Sequence, residues 1–229
     1  MPIEALLFDK DGTLFDFAAT WGAFGRSFLA RIANQDADRA EYLGRLIGFD
    51  MVSGRYEAGS VVIAGTPGEI ADALLHEFPG MAHADMVSMI NDESACAPQV
   101  EAVPLVPFFG GLRDKGYKLG VATNDGHSPA HAHLEAVGIR ELFDFVAGFD
   151  SGHGAKPGPG QLLAFAAHVG IDPARIAMVG DSTHDLEAGR AAGMTTIGVL
   201  TGLAGAEDLS PLADVVLPNI GHIPDWLAA

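Results

Sequence analysis

Cysteine is nearly absent from this sequence of 229 residues, which contains Cys96 alone. A single cysteine cannot form a disulfide within the chain, and such scarcity is typical of proteins of the reducing cytoplasm. We therefore expect a cytoplasmic protein. The N-terminal segment lacks a basic region followed by a long apolar core, so we expect no signal peptide. No apolar run reaches the ~20 residues that a membrane-spanning helix requires.

Positive charge is also scarce, because 13 Lys and Arg stand against 30 Asp and Glu, for a formal net charge of −17. A surface of this sign repels nucleic acid and anionic membranes, so we expect neither as a partner. A small anionic substrate would then need a metal ion or a local group of positive charges. Apolar residue types make up 48% of the chain and charged types only 19%, which is ample for a buried core.

A helical pattern dominates the first half of the chain after an initial apolar run at residues 3–8. Apolar side chains recur there at every third or fourth position, as on one face of a helix. Thr66-Pro67 is a favourable start for one of these helices. The pattern predicts helices at residues 18–33, 37–49, 66–78 and 84–96.

Strands and helices alternate from residue 118 onward, which predicts a parallel sheet with helices on both faces. The predicted strands are at residues 118–123, 145–148, 176–180, 195–199 and 213–217. More than a hundred residues separate the first strand from the second, whereas a crossover connection needs only about a dozen or more. We therefore predict an α/β fold with a Rossmann-like three-layer α/β/α core, residues 1–15 and 100–229, and an inserted all-α cap domain, residues 16–99.

Polar residues follow four of the predicted strands at the point where each strand ends. In an open parallel sheet these carboxyl ends meet at one edge, where ligands bind. The residues, in chain order, are Asp9 and Asp11, Thr123 and Asn124, Lys156, and Asp181 and Asp185. We expect these side chains to form one site.

The residue types at this edge indicate phosphoryl chemistry. Two carboxylates ~4 Å apart repel by about 4 kcal/mol at an effective dielectric constant of 20, so a group of them calls for a cation. Oxygen ligands without paired His or Cys favour Mg²⁺ over zinc. Magnesium, a lysine and a hydroxyl together suit a phosphoryl group. One carboxylate can attack phosphorus, while another protonates the leaving oxygen and then activates water.

These four motifs resemble those of the haloacid dehalogenase superfamily of aspartate-nucleophile hydrolases, and the resemblance covers the whole chain. The insertion between the first and second motifs is similar to that of phosphoglycolate phosphatase-like members. The resemblance implies that Asp9 is the nucleophile and Asp11 the general acid and base. It also implies that the phosphoryl group is bound by Thr123, Lys156 and the backbone of Asn124.

The same resemblance implies a Mg²⁺ site at the edge of the sheet. Its ligands would be Asp9, the carbonyl oxygen of Asp11, and Asp181, with Asp185 supporting a water molecule or Lys156. Asp125 follows the phosphate-binding pair, and we expect its side chain to point away from the site. The candidates for contacting a substrate carboxylate from the cap are Arg26, Arg55 and Tyr56.

The sequence therefore predicts a Mg²⁺-dependent phosphatase that hydrolyses a small phosphate monoester through an aspartyl phosphate, similar to phosphoglycolate phosphatase. Three alternatives remain open. A phosphomutase acting on a sugar phosphate would share all four motifs. A phospho-aspartate receiver domain would be roughly half as long and would lack the insertion. A phospholigand-binding protein would not need the acid/base pair. Either a monomer or a homodimer is compatible with the sequence.

Overall fold

The computed structural model describes residues 2–229 and consists of a parallel sheet, its covering helices and a helical insertion. The strands and α-helices, in chain order, are β1 (Ala5–Phe8), α1 (Phe17–Ile32), α2 (Ala37–Leu46), β2 (Phe49–Asp50), β3 (Arg55–Tyr56), α3 (Pro67–Leu74), α4 (His83–Ser94), α5 (Leu105–Asp114), β4 (Lys118–Ala122), α6 (His127–Ala136), β5 (Phe145–Ala147), α7 (Gly160–Val169), β6 (Ile176–Gly180), α8 (Thr183–Ala192), β7 (Thr195–Val199), α9 (Ala206–Leu209), β8 (Val215–Leu217) and α10 (Ile223–Trp226).

The sheet has six strands in the order β5-β4-β1-β6-β7-β8, and every neighbouring pair is parallel. The first strand of the chain therefore lies near the middle of the sheet. Phe8 at its carboxyl end is level with Val121 of β4 and Val179 of β6. This register places the residues that follow β1, β4 and β6 side by side.

Alternate residues of the fully buried strand β1 face opposite sides of the sheet, as the two-residue period of a strand requires. Leu6 and Phe8 pack in one apolar cluster with residues of α5 and α6. Ala5 and Leu7 pack in another with residues of α7 and α8. The sheet thus lies between two helical layers, which confirms the predicted three-layer α/β/α fold.

The helical insertion, residues 17–94, has a separate apolar cluster built from α1 to α4. Its centre includes Phe24 and Phe28, whose rings stack with centroids 5.2 Å apart. The second helix ends at Leu46, earlier than predicted. Gly48 then adopts φ 66°, and the chain turns into the antiparallel hairpin β2–β3. The insertion therefore contains a short hairpin beside its helices.

Two neighbouring segments connect the insertion to the sheet. The backbone N–H of Asp16 donates to the carbonyl of Val100 at 2.8 Å, and that of Ala102 donates to Leu14 at 2.9 Å. The chain leaves and re-enters the core at one place because these two segments pair. Among residues 2–229, no helix combines the length and apolar character needed to cross a bilayer.

Candidate active site

Asp9 lies directly after the central strand and is the point on which the other polar side chains converge. Its backbone N–H donates to the carbonyl of Val179 at 2.8 Å, which fixes the start of the loop against β6. Its side-chain Oδ1 accepts a hydrogen bond from Nζ of Lys156 at 2.6 Å. The same ammonium group donates to Oδ1 of Asp185, also at 2.6 Å. All three residues are buried.

Three carboxylates, those of Asp9, Asp181 and Asp185, form a compact buried group. Each offers an oxygen that lies within 4.8 Å of the oxygens of the other two. Thr13 donates from its hydroxyl to Oδ1 of Asp181 at 3.2 Å. Asp185 lies in the first turn of α8, where its Oδ2 accepts hydrogen bonds from the backbone and hydroxyl of Ser182. The orientations of these side chains are therefore fixed by the local structure.

The electrostatics of this group show an excess of negative charge. Burial raises the pKa of Asp9 to about 7; repulsion from Asp185 and Asp11 adds to this rise, and the Lys156 ammonium opposes it. Burial and repulsion from Asp9 and Asp185 likewise raise the pKa of Asp181. Burial alone would lower the pKa of Lys156, but Asp185 and Asp9 outweigh this effect and raise it. One lysine therefore does not neutralise the three carboxylates.

An oxygen-only donor set with excess negative charge fits a hard divalent cation such as Mg²⁺. The predicted ligands Asp9 and Asp181 belong to this group, together with Asp185. The Asp11 side chain also lines the cavity but is not one of these three carboxylates, because its two oxygens are 2.8 and 2.7 Å from Nζ of Lys10. The residues present are thus compatible with a metal site at the end of β1.

Thr123 and Asn124 lie at the end of β4, on the opposite side of Asp9 from β6. The Thr123 hydroxyl oxygen accepts the backbone N–H of Asp125 at 3.0 Å, which leaves its proton free for another acceptor. The side-chain amide of Asn124 forms two hydrogen bonds with the backbone of Lys156, at 2.8 and 2.9 Å. It also donates to the carbonyl of Ala64 in the insertion at 2.8 Å. Asn124 thereby joins the lysine loop to the insertion.

A cavity of about 440 Å³ opens over these residues, between the edge of the sheet and the insertion. This volume is within the range of small-molecule sites. The cavity lining includes the residues predicted from the strand ends, namely Asp9, Asp11, Thr123, Asn124, Lys156, Asp181 and Asp185. On the insertion side the lining is mainly apolar, with Phe17, Trp21, Val62 and Ile63.

A family model described as haloacid dehalogenase-like hydrolase matches residues 3–193. The chain belongs to this family. Among curated proteins, the hydrolase is 29% identical over 215 residues to the pyrophosphatase PpaX of Bacillus velezensis, covering 91% of the hydrolase and 88% of PpaX. It is 37% identical over 117 residues to the phosphoglycolate phosphatase of Escherichia coli K12, covering 50% of the hydrolase and 46% of that relative. It is 43% identical over 98 residues to "Probable phosphatase IndB" of Dickeya dadantii, covering 43% of each chain. The last two matches thus span less than half of those relatives.

Solved structures of similar fold extend over nearly the whole hydrolase. A HAD phosphatase from Thermococcus onnurineus aligns with a TM-score of 0.67 and 22% identity, covering 98% of each chain. The β-phosphoglucomutase of Clostridium difficile aligns with a TM-score of 0.69 and 19% identity, covering 99% of the hydrolase and 97% of the mutase. At these identities the alignments establish the fold alone.

The three residues predicted to contact substrate from the insertion do not line the cavity of the hydrolase. Helix α1 turns Phe17 and Trp21 toward the cavity, whereas Nη1 of Arg26 donates to the carbonyl of Met51 at 2.8 Å. Arg55 is exposed on the β2–β3 hairpin. The hydroxyl of Tyr56 donates to the carbonyl of Trp21 at 3.2 Å. The orientation of α1 and the position of the hairpin thus separate these side chains from the cavity.

The orientation of Asp125 away from the site stays a prediction; its side chain is buried, and the residue also lines the cavity. Its Oδ2 is 3.1 Å from Nζ of Lys10, and the hydroxyl of Ser94 donates to it at 3.2 Å. The charge of Asp125 is therefore paired within the protein. Lys10 itself is fully buried and also contacts Nδ1 of His133 at 2.9 Å. The sequence gives no local signal for this cluster, since its members come from distant segments.

Proposed function

We propose that this hydrolase is a Mg²⁺-dependent phosphatase that acts on a small phosphate monoester through a phosphate covalently bound to Asp9, in the manner of phosphoglycolate phosphatase-like enzymes. One observation carries the proposal. The Asp9 carboxylate is held by Lys156 at 2.6 Å, within a group of three carboxylates and beside Asp11, at the base of a small cavity. The names of the relatives, two phosphatases and a pyrophosphatase, support it.

The first half of the reaction transfers the phosphoryl group to Asp9. Lys156 holds Oδ1 of Asp9, so Oδ2 is the oxygen that attacks phosphorus. The bond between phosphorus and the ester oxygen breaks, and the protonated side chain of Asp11 gives its proton to the departing alcohol. The Lys156 ammonium, the Thr123 hydroxyl and the backbone N–H of Asn124 stabilise negative charge on the phosphoryl oxygens.

The second half removes the phosphate from Asp9. The carboxylate of Asp11 takes a proton from a water molecule, whose oxygen attacks phosphorus. The bond between phosphorus and Asp9 breaks, which regenerates the Asp9 carboxylate and releases inorganic phosphate. The balanced reaction consumes one phosphate monoester and one water and yields one alcohol and one phosphate. The proton that Asp11 takes from water replaces the one that it gave to the alcohol.

Mg²⁺ would be held by Asp9, Asp181 and the carbonyl oxygen of Asp11, with Asp185 supporting the site. When bound, it supplies positive charge that offsets the repulsion between the carboxylates and the phosphoryl group. The raised pKa values of Asp9 and Asp181 support such a role, because they reflect uncompensated negative charge in the chain itself.

We propose further that residues 16–99 act as a cap over the site, while residues 1–15 and 100–229 form the catalytic core. The separate apolar cluster of the insertion and the paired connections between residues 14–16 and 100–102 support this division. A cap that closes over a small cavity favours small phosphate esters over nucleic acids. The net charge of −17 also disfavours nucleic acids and membranes as partners. We propose a cytoplasmic monomer or homodimer.

Phosphate release from a panel of small phosphate esters, with Mg²⁺ and with a chelator, tests the proposed function. We expect release that depends on Mg²⁺ and that is lost in Asp9→Asn. Asp114→Asn, the same substitution at an exposed position, is the matched control. Phosphate release that is unaffected by chelation, or by Asp9→Asn, would contradict the proposal. Conversion of a sugar phosphate to its isomer without net release would instead identify a phosphomutase.

A further inference from the structure

The insertion side of the cavity is apolar and carries no cation. Its side chains include Phe17, Trp21, Val62 and Ile63, and Leu203 adds an apolar side chain from the core. Within residues 2–229, Lys156 is the only lysine or arginine that lines this cavity. Lys156 is already paired with Asp9 and Asp185 at the phosphate end. His184, which precedes Asp185 in the first turn of α8, also lines the cavity. A negatively charged group at the insertion end would therefore find no lysine or arginine there.

The arginines of the insertion are occupied elsewhere or exposed, and residues 16–99 contain no lysine. Met51 accepts a hydrogen bond from Arg26. Three further arginines of the insertion form ion pairs, namely Arg31 with Glu93, Arg39 with Glu77 and Arg45 with Glu41. The last arginine, Arg55, is exposed on the hairpin. Asp208 adds a carboxylate to the cavity lining. A carboxylate on the substrate would thus meet repulsion and an apolar surface, and burial of an unpaired charge is costly.

We propose that the substrate is the phosphate monoester of an uncharged, apolar alcohol, with a flat ring as its best-fitting group. This inference rests on the proposed phosphatase function and specifies the substrate class. Trp21 and Phe17, whose rings stack with centroids 6.2 Å apart, offer an aromatic surface to such a group. The indole N–H of Trp21 is itself buried and has no hydrogen-bond partner among residues 2–229.

The test compares kcat/KM for benzyl phosphate and phosphoglycolate, two esters whose leaving groups are both alkoxides. We expect benzyl phosphate to be preferred by about tenfold or more, the scale on which apolar pockets discriminate. Trp21→Ala should reduce that preference. Ile63→Arg, which adds a cation to the lining, should shift the ratio toward phosphoglycolate. Arg45→Ala, an exposed change outside the cavity, should leave the ratio unchanged.

The outcomes separate this inference from the proposed function. Preference for phosphoglycolate, or a selective loss on phosphoglycolate in Arg26→Ala or Arg55→Ala, would overturn the substrate class while leaving the phosphatase in place. An unchanged ratio in both Trp21→Ala and Ile63→Arg would overturn it too. Absence of phosphate release from every ester would instead contradict the proposed function.

A second, independent observation concerns the buried cluster around Lys10. Its ammonium has three hydrogens and three neighbouring acceptors: Asp11 at 2.7 Å, Asp125 at 3.1 Å and Nδ1 of His133 at 2.9 Å. Because lysine only donates, Nδ1 of His133 must accept, which places the ring proton on Nε2. Nε2 then donates to the carbonyl of Ser94 at 2.7 Å.

Ser94 gives this cluster its connection to the insertion. It is the last residue of α4, and its hydroxyl donates to both side-chain oxygens of Asp125, at 3.3 and 3.2 Å. The cluster therefore links the end of the insertion to Asp11 through Lys10, with every hydrogen of the ammonium used. Such a fully connected buried network fixes the positions of its members.

We also infer that Lys10 is a positioning residue for Asp11, and that Asp125 and His133 hold Lys10 in place. This inference rests on the proposed role of Asp11 as the acid that protonates the leaving alcohol. Loss of Lys10 should therefore lower kcat/KM most for the esters whose leaving group most needs that proton. Alkyl phosphates need it most, whereas p-nitrophenyl phosphate has a leaving group that departs without it.

The test measures kcat/KM, which covers only the steps through the first phosphoryl transfer. In Lys10→Met we expect a loss of about tenfold to a hundredfold on benzyl phosphate, since general acid catalysis contributes about 10²–10⁴-fold. The loss on p-nitrophenyl phosphate should be several times smaller. His133→Leu should act in the same direction, and His133→Gln, whose amide can both accept and donate, should recover part of the activity.

Equal losses on the two esters would show a merely structural effect and overturn the positioning role. Wild-type kcat/KM on both esters in Lys10→Met would overturn it as well. Should Lys10→Met fail to fold, the pair His133→Leu and His133→Gln decides the question by the same ratio. Lys115→Met is the exposed control. If the wild-type protein releases phosphate from neither ester, the proposed function fails first.

Discussion

Magnesium binding should weaken sharply as the pH falls through neutrality, because the metal has to displace a proton from the site. The pKa of Asp9 is raised from 3.8 to about 7 by burial and neighbouring carboxylates. Asp9 is therefore mostly ionised at about pH 8 and mostly protonated at about pH 6. A cation requires the ionised form. The ionised fraction of Asp9 falls by about tenfold between pH 8 and pH 6. This change alone weakens the apparent free energy of Mg²⁺ binding by about 1.4 kcal/mol.

The sign follows from the raised pKa of an acid: its proton remains bound at a pH where an ordinary aspartate has lost it. The pKa of Asp181 is raised as well, so a second proton would make the dependence steeper. Titration calorimetry with Mg²⁺, in two buffers of different protonation enthalpy, measures both the affinity and the protons released. We expect close to one or more protons released at about pH 6, and far fewer at about pH 8.

The exposed variant Asp114→Asn serves as the control and should leave both quantities unchanged. An affinity that is equal at the two pH values, with no proton released at either, would refute the reasoning. That result would mean that Asp9 and Asp181 are already ionised in the metal-free protein, and that the charge of the cluster is compensated without a divalent cation.

Four other changes test the site and the fold. Asp9→Asn should abolish phosphate release with an unchanged circular dichroism spectrum, and Asp11→Asn should slow turnover by about 10²–10⁴-fold; normal rates would contradict their roles. Lys156→Met should lower kcat more than it raises KM if the ammonium acts mainly in the transition state, as steady-state kinetics would measure. Phe28→Ala should lower the free energy of unfolding by about 3–5 kcal/mol in denaturant titrations, since the ring is fully buried against Phe24; a loss under about 1 kcal/mol would contradict this.

The sheet and the polar edge could be predicted because each depends on local signals in the chain. Apolar runs that end in Asp9 or in Thr123 show both a strand and its carboxyl end, and a parallel sheet then brings those ends together. The hairpin β2–β3 could not be predicted in this way. Its strands are two residues long, and its turns depend on the positive φ of Gly48 and Gly54.

The orientations of individual side chains could be predicted less well from the sequence. Arg26 follows Trp21 by five positions, so the two side chains lie about 140° apart around α1, and packing decides which of them faces the cavity. Asp125 shows the same limit, because its orientation depends on Lys10. The ammonium that pairs with Asp125 lies over a hundred residues away in the chain, beyond the reach of any local pattern.

The insertion is attached to the core unequally on its two sides. At the end of α4, Ser94 takes part in bonds to both Asp125 and His133, all of them buried. On the far side of the cavity, the amide of Asn124 donates a single hydrogen bond to Ala64. One such bond contributes about 0.5–1.5 kcal/mol, so we expect it to break more easily than the group of bonds at Ser94. We then expect the insertion to rotate about Ser94 and to open on the side of Ala64. Loss of the hydrogen bond to Ala64 leaves both bonds between Asn124 and Lys156 in place. The lysine therefore keeps its position whether the insertion covers the site or has moved away from it.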